Sequence, residues 1–305
     1  MRDRILDFSE QGASLSVRLE QLRIRPAEGR EVSLPLADIA VLVLAHPAIH
    51  LTQAVLGGLA EHGGVLLTCD SSRLPAGMMF PLVGHHVQGL RATAQVRASL
   101  PTKKRLWQSL VRAKITHQAL TLEDLRSTDG GLHALAAQVR SGDPGNVEAR
   151  AARRYWPLLF NSTDFRRARE RPDVNRFLNY GYAVLRAAVA RAVCAAGLLP
   201  SIGLHHHNRY DPFPLADDVV EPFRPLIDRA AWELADRIGP EAPLGREAKE
   251  ALISPITARY RYQAEQRTLF DILSRVCISL AGALAGECRD IALPDFAHFH
   301  AAEGR

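Results

Sequence analysis

Two neighbouring stretches, Gly203-Leu-His-His-His-Asn208 and Leu215-Ala-Asp-Asp-Val-Val-Glu-Pro-Phe-Arg-Pro225, gather imidazole, carboxylate and guanidinium groups. Asp218 and Glu221 stand three apart and share a face if the segment is helical. One imidazole nitrogen with two carboxylate oxygens is a ligand set for a divalent cation such as Mn²⁺ or Mg²⁺. Glu148, in Asn146-Val-Glu-Ala-Arg-Ala-Ala-Arg-Arg-Tyr-Trp156, offers a further acid. The candidate ligands are therefore Glu148, His206 and Glu221.

Each of these residues also has an ordinary structural role. Glu148 follows Gly142-Asp-Pro-Gly-Asn146 and opens an Ala- and Arg-rich segment, where a first-turn acid is favoured by the helix dipole alone. Arg150 and Arg153 follow it and can pair with phosphates, while Tyr155 and Trp156 read as core anchors. In an extended segment His205 and His207 point one way and His206 the other, so a single ion uses one or two of the three. Two histidines plus a carboxylate are also a zinc set, which keeps a zinc hydrolase built on His205 and His207 open. Asp218-Val-Val-Glu221 matches a capping box, with Asp218 as N-cap and Glu221 at N3. Pro222 would then remove a helical donor at the next position. Either way the carboxylates are expected at a helix entrance. A catalytically silent DNA-binding scaffold is a further alternative, its acids capping helices and Arg150, Arg153 and Arg224 gripping phosphates.

The elements that must position these groups divide the chain in two. Ser14-Leu-Ser-Val-Arg-Leu19, Gln21-Leu-Arg-Ile-Arg25 and Glu31-Val-Ser-Leu34 alternate polar and apolar residues, as half-buried strands do. Ile39-Ala-Val-Leu-Val-Leu44 is continuously apolar and suits a more buried strand. Leu51 to His62 reads as one short helix closed by Gly63-Gly64, and Val65-Leu-Leu-Thr-Cys69 as a further strand. Ser, Pro, Gly and Met then mark a connector. Beyond it, helical patterns run over 88–126, 146–160, 174–196, 226–238 and 257–285. Phe177, Leu178, Tyr182, Leu185, Val189 and Val193 form a core-facing stripe. The expected fold class is α+β: a β-rich domain over 1–75, a connector over 76–86 and an all-α domain over 87–305.

Composition narrows the function classes. The 305 residues are 47% apolar and 23% charged, which excludes a disordered chain and allows a sizeable core. Lys plus Arg number 38 against 33 Asp plus Glu, a formal excess of +5 that fits a phosphate-bearing partner. No apolar run is long enough to span a bilayer. The N-terminus does not read as a signal peptide. Four cysteines without a Cys-x-x-Cys pair imply free thiols in a reducing cytoplasm.

In order and spacing, these segments, together with Cys69-Asp-Ser-Ser-Arg-Leu-Pro-Ala-Gly77 and Asn179-Tyr-Gly-Tyr182, resemble the CRISPR spacer integrases of type II-like systems. The resemblance covers most of the chain. It implies a metal-dependent DNA endonuclease and integrase that joins the 3′-hydroxyl ends of captured duplex fragments to a CRISPR repeat by transesterification. It implies Glu148, His206 and Glu221 as both catalytic residues and metal ligands, with His207 in the neighbouring register, Asp218 as an additional acid and Mg²⁺ or Mn²⁺ as cofactor. It further implies a homodimer formed by the β domain, and a small ferredoxin-like partner protein bridging two dimers. Ala149 departs from the family, which usually has glycine after the glutamate.

Overall fold

The computed structural model describes residues 3–70, 75–168, 171–206 and 210–299. The N-terminal part holds strands β1 (Arg4–Phe8), β2 (Ala13–Arg18), β3 (Gln21–Pro26), β4 (Val32–Pro35), β5 (Ile39–Leu44), β6 (Ile49–Leu51), β7 (Val65–Cys69) and β8 (Pro75–Met79). Helix α1 (Gln53–Glu61) lies between β6 and β7. The strands make two four-stranded sheets, ordered β1-β5-β7-β8 and β4-β3-β2-β6. In the first, β1, β5 and β7 run parallel and β8 returns antiparallel. That last strand runs into the stretch read as connector.

The apolar run of β5 has two faces to fill. Val41 and Val43, with Val65 and Leu67 of β7, join the large core under the helices. Leu42 and Leu66 turn the other way, into a smaller core with Leu15, Leu22, Val55 and Leu59. A strand buried on both sides is apolar at every position, which is why β5 shows no alternation. Leu51 belongs to a strand, so the short helix begins only at Gln53.

The helical part comprises α2 (Gln88–Arg97), α3 (Leu100–Arg126), α4 (Leu132–Gln138), α5 (Val147–Phe160), α6 (Asn175–Ala195), α7 (Pro214–Val220), α8 (Arg224–Ile238), α9 (Arg246–Thr257) and α10 (Leu269–Ala285). The stripe read on α6 is buried throughout, and this helix packs on β5 and β7. Tyr180 of α6 donates to Asp7 at 2.7 Å, and Nε of Arg191 to the Gly63 carbonyl at 2.9 Å. The two parts thus share one continuous core rather than hanging on a linker.

The segment read as helix over 257–285 opens instead with an antiparallel hairpin, β9 (Arg259–Tyr262) and β10 (Glu265–Thr268). Arg259-Tyr-Arg-Tyr262 alternates exposed and buried, with both tyrosines inward. That is a strand period, and only from Leu269 does the helical one resume. All four cysteines are free thiols; Cys194 and Cys277 are buried, whereas Cys288 is exposed.

Candidate active site

Helix α3 is the beam on which the site is built. Ser99 caps it by accepting from the Thr102 amide at 3.3 Å. Its 27 residues pack against α4, α5, α8 and the short 3₁₀ turn Glu221–Phe223. Trp107, Leu110, Val111, Lys114, Ile115 and Gln118 recur at helical spacing and are all buried. A lysine and a glutamine therefore stand on an otherwise apolar stripe.

Glu148 sits in the first turn of α5, as its position after Gly142-Asp-Pro-Gly-Asn146 leads one to expect. Asn146 adopts a left-handed conformation with φ of 46°. The Asp143 carboxylate accepts from the amides of Val147 at 2.9 Å and Glu148 at 3.0 Å. These bonds satisfy two of the orphan donors at the helix start and fix where the Glu148 side chain emerges.

The expected capping box is absent. α7 starts at Pro214, so Asp218 lies within the helix, and Glu221 opens the 3₁₀ turn that joins α7 to α8. Pro222 and Pro225 lack the amides a continuous helix needs there, so the chain breaks into short turns at Glu221. This joint turns the Glu221 carboxylate, 5% exposed, towards α3.

Lys114 draws the two glutamates together. Its Nζ lies 2.6 Å from Oε1 of Glu148 and 2.5 Å from Oε2 of Glu221. The contact to Glu221 is an ion pair to a carboxylate that is almost wholly buried. Oε1 of Glu221 also pairs with Nε of Arg224 at 3.3 Å. Burial opposes the Lys114 charge, but Glu221 and Glu148 outweigh it and raise the ammonium above its usual pKa. Burial likewise opposes the charge of Glu221, and Arg224 and Lys114 overturn it, holding the carboxyl below its usual range.

His206 is brought to the other acid. Asp218 has no exposed surface and accepts from the amides of Leu204 at 2.5 Å, His205 at 3.2 Å and His206 at 3.2 Å. It also contacts Nδ1 of His206 at 2.7 Å. A carboxylate can only accept here, so Nδ1 carries the hydrogen and Nε2 is left with its lone pair. The same hydrogen bond raises the His206 pKa, against burial. Gly203 makes the tight turn possible: a Cβ there would come within 2.7 Å of the His206 carbonyl and 3.0 Å of Asp218 Oδ2.

Trp107 sorts the histidines. His205 lies flat on the indole at 4.4 Å with planes 2° apart, whereas His206 meets its edge at 5.5 Å. His207 lies outside the described residues. Among the described residues, no group of three His, Cys, Asp or Glu side chains converges closely enough to hold an ion as the chain stands. The structure thus forms two pairs, Glu148 with Glu221 about an ammonium, and His206 with Asp218.

A second buried carboxylate backs the site. Asp228 accepts from Tyr155 at 3.0 Å and from Tyr182, and burial pushes its pKa up to about 6. The Tyr182 ring carries the guanidinium of Arg224 at 4.7 Å from its centre. Arg150 and Arg153 are exposed on α5, the former 3.5 Å from Gln138. Arg224 is committed to Glu221 and Tyr182 rather than free at the surface.

Sequence reasoning missed Lys114, Trp107, Asp143 and Gly203. Only Lys114 left a readable signal, as a charge on the apolar stripe of α3. No helix among the described residues is long and apolar enough to cross a membrane.

Comparison with known proteins places the chain in a family. Residues 8–240 match the family model for CRISPR associated protein Cas1. The CRISPR-associated endonuclease Cas1 of Neisseria meningitidis serogroup C is 39% identical over 291 residues, spanning 94% of both chains. A Cas1 endonuclease of Pyrobaculum aerophilum is 27% identical over 90% of this chain and 96% of its own. Among solved structures, a casposase bound to its integration product superposes with a TM-score of 0.77 at 19% identity, covering 98% of this chain and 95% of its own. A CAS1 protein from Thermotoga maritima gives 0.75 at 15% identity, over 93% and 97% of the two chains. The fold is therefore that of the integrases, and the match over most of its length makes this chain a member of the Cas1 family of CRISPR-associated proteins.

Proposed function

We propose that this Cas1-family endonuclease and integrase of CRISPR adaptation carries out its chemistry where α3, α5 and the 221–223 turn meet. Glu148, Glu221 and His206 are the residues that would hold a divalent ion, Mg²⁺ or Mn²⁺. The observation that carries this reading is the pair of glutamate oxygens already gathered about one cation, the Lys114 ammonium. The buried carboxylate of Glu221, whose Oε2 already faces a cation, is the kind of oxygen donor a hard cation takes. His206 fits as the nitrogen donor because Asp218 fixes its tautomer, as outer partners of metal-binding histidines do.

A divalent ion held by Glu148, Glu221 and His206 would supply electrostatic stabilisation of the charge on the phosphate oxygens as the 3′-hydroxyl displaces the leaving oxygen of the cut strand. The chain's own groups do the rest. Asp143 fixes the emergence of Glu148, the Pro222 and Pro225 joint fixes Glu221, and Arg224 keeps that carboxylate ionised. Arg150 and Arg153, exposed on the helix that begins with Glu148, are placed to hold duplex phosphates. A captured DNA fragment and a CRISPR repeat are the substrates, and solved relatives include a Cas1–DNA complex and an assembly with Cas2. We place the working form in the cytoplasm, as a homodimer paired through its sheets with a small ferredoxin-like adaptation protein bridging two dimers.

The test is joining of a labelled 3′-OH duplex to a repeat-bearing plasmid with Mn²⁺. Glu148→Gln and Glu221→Gln are expected to abolish joining; Glu221→Gln, which leaves the buried Lys114 with one counter-charge, should also melt at a lower temperature, and circular dichroism checks that each variant is folded. Wild-type activity in either variant would remove that residue from the ligand set.

A further inference from the structure

Lys114 is an odd residue to find where it is. Trp107, Leu110, Val111 and Ile115 surround it along the stripe of α3, and its side chain is only 11% exposed. A lysine so placed needs a counter-charge, and it has two, on elements far apart in sequence: Glu148 from α5 and Glu221 from the joint after α7. The two acids are buried unequally, at 25% and 5% exposure, yet both reach the same nitrogen. Without a cation between them, two facing and largely buried carboxylates repel each other strongly.

A dication offered the same oxygens cannot share them with an ammonium. Both would sit within contact distance of Oε1 of Glu148 and Oε2 of Glu221, and their mutual repulsion among largely buried groups far exceeds that in water. We propose that Lys114 is a placeholder cation: it keeps the two glutamates facing each other in the metal-free protein, and the divalent ion must displace it, so that this lysine sets the metal affinity of the site. The inference rests on the ligand reading above and deepens it. Lys114 is a positioning residue, acting on the reaction only through the two acids.

The placeholder role has a consequence that a merely structural lysine would not. Removing the ammonium should weaken the metal-free protein yet strengthen metal binding, because the ion no longer competes with a resident charge. Mn²⁺ titrated calorimetrically into full-length Lys114→Met is expected to bind at least tenfold more tightly than into the wild-type protein. The metal-free melting temperature should be lower, and its rise on adding Mn²⁺ larger. Lys114→Arg keeps the charge and should stay within a few-fold of wild-type affinity. Equal or weaker Mn²⁺ binding by Lys114→Met would overturn the proposal. Should that variant not fold, amine acylation of the wild-type protein read by mass spectrometry decides instead. Lys114 should be modified faster once calorimetry shows Mn²⁺ bound, and an unchanged rate means it was not displaced. Absence of any Mn²⁺ heat in both the wild-type protein and Lys114→Met would remove the metal reading itself, and the placeholder with it.

Discussion

Asp218→Asn separates the stability of the site from its chemistry. In the wild-type protein one oxygen of Asp218 serves the Leu204 and His205 amides, and the other serves the His206 amide and ring. An asparagine keeps one acceptor oxygen and puts an amide donor where the other stood. With the amide on the Leu204 side, two backbone donors face it. With the amide on the His206 side, only one backbone donor is stranded, because the imidazole can change tautomer and accept at Nδ1. The second arrangement costs less, so the expected destabilisation is that of one unsatisfied buried donor, about 1–3 kcal/mol. Its chemical consequence is larger, since Nε2 then carries the hydrogen and loses its lone pair. Loss of an outer partner of this kind lowers metal affinity or activity by about 10–100-fold. Urea unfolding reads the first effect, Mn²⁺-dependent DNA joining the second, and ¹⁵N shifts of the His206 ring report the tautomer directly. Undiminished joining, or a ring still protonated at Nδ1, would refute the reasoning.

Three further outcomes follow from the same geometry. Asp228 has a folded pKa raised to about 6 from 3.8, so its contribution to stability is full below about pH 4 and is lost as pH rises through 6. Wild-type protein should therefore lose about 2 kcal/mol between pH 4 and 7 relative to Asp228→Asn, and parallel pH curves would deny the buried acid this role. Gly203→Ala forces a methyl against the His206 carbonyl and should cost about 1–3 kcal/mol and most of the joining activity, whereas Gly89→Ala, with nothing within 4 Å, should cost neither. Arg150→Ala and Arg153→Ala should each weaken duplex binding and lower the slope of log affinity against log salt by about 1; an unchanged slope would take that arginine off the DNA surface.

Much of this was legible in one dimension. Period-two alternation marked β2 to β4, the apolar run marked β5, and the stripe on α6 marked its buried face, because each is a local consequence of which side of an element meets the core. The chemistry-bearing residues were legible by type: Glu148, His206, Asp218 and Glu221 stand out as acids and imidazoles beside breaks in helical pattern. The local capping rule misplaced two of them. Asp218 and Glu221 carry capping-box spacing, but burial of Pro214, Leu215 and Ala216 starts the helix earlier and leaves Asp218 inside it. The hairpin at 259–268 was hidden for a related reason, its two inward tyrosines being too few to outweigh the helical period of α10.

Pairing belonged to the tertiary structure alone. Nothing local joins Lys114 to Glu148 and Glu221, which lie on three separate elements, or tells which of three consecutive histidines meets Asp218. Those contacts depend on how α3, α5 and the 221–223 turn cross, and crossing is decided by packing between faces rather than by the sequence of any one of them. Residue type thus determined what chemistry the chain could do. Only the crossing of the helices decided that a lysine stands between the acids, because a buried carboxylate pair needs a cation and α3 was the element near enough to supply one.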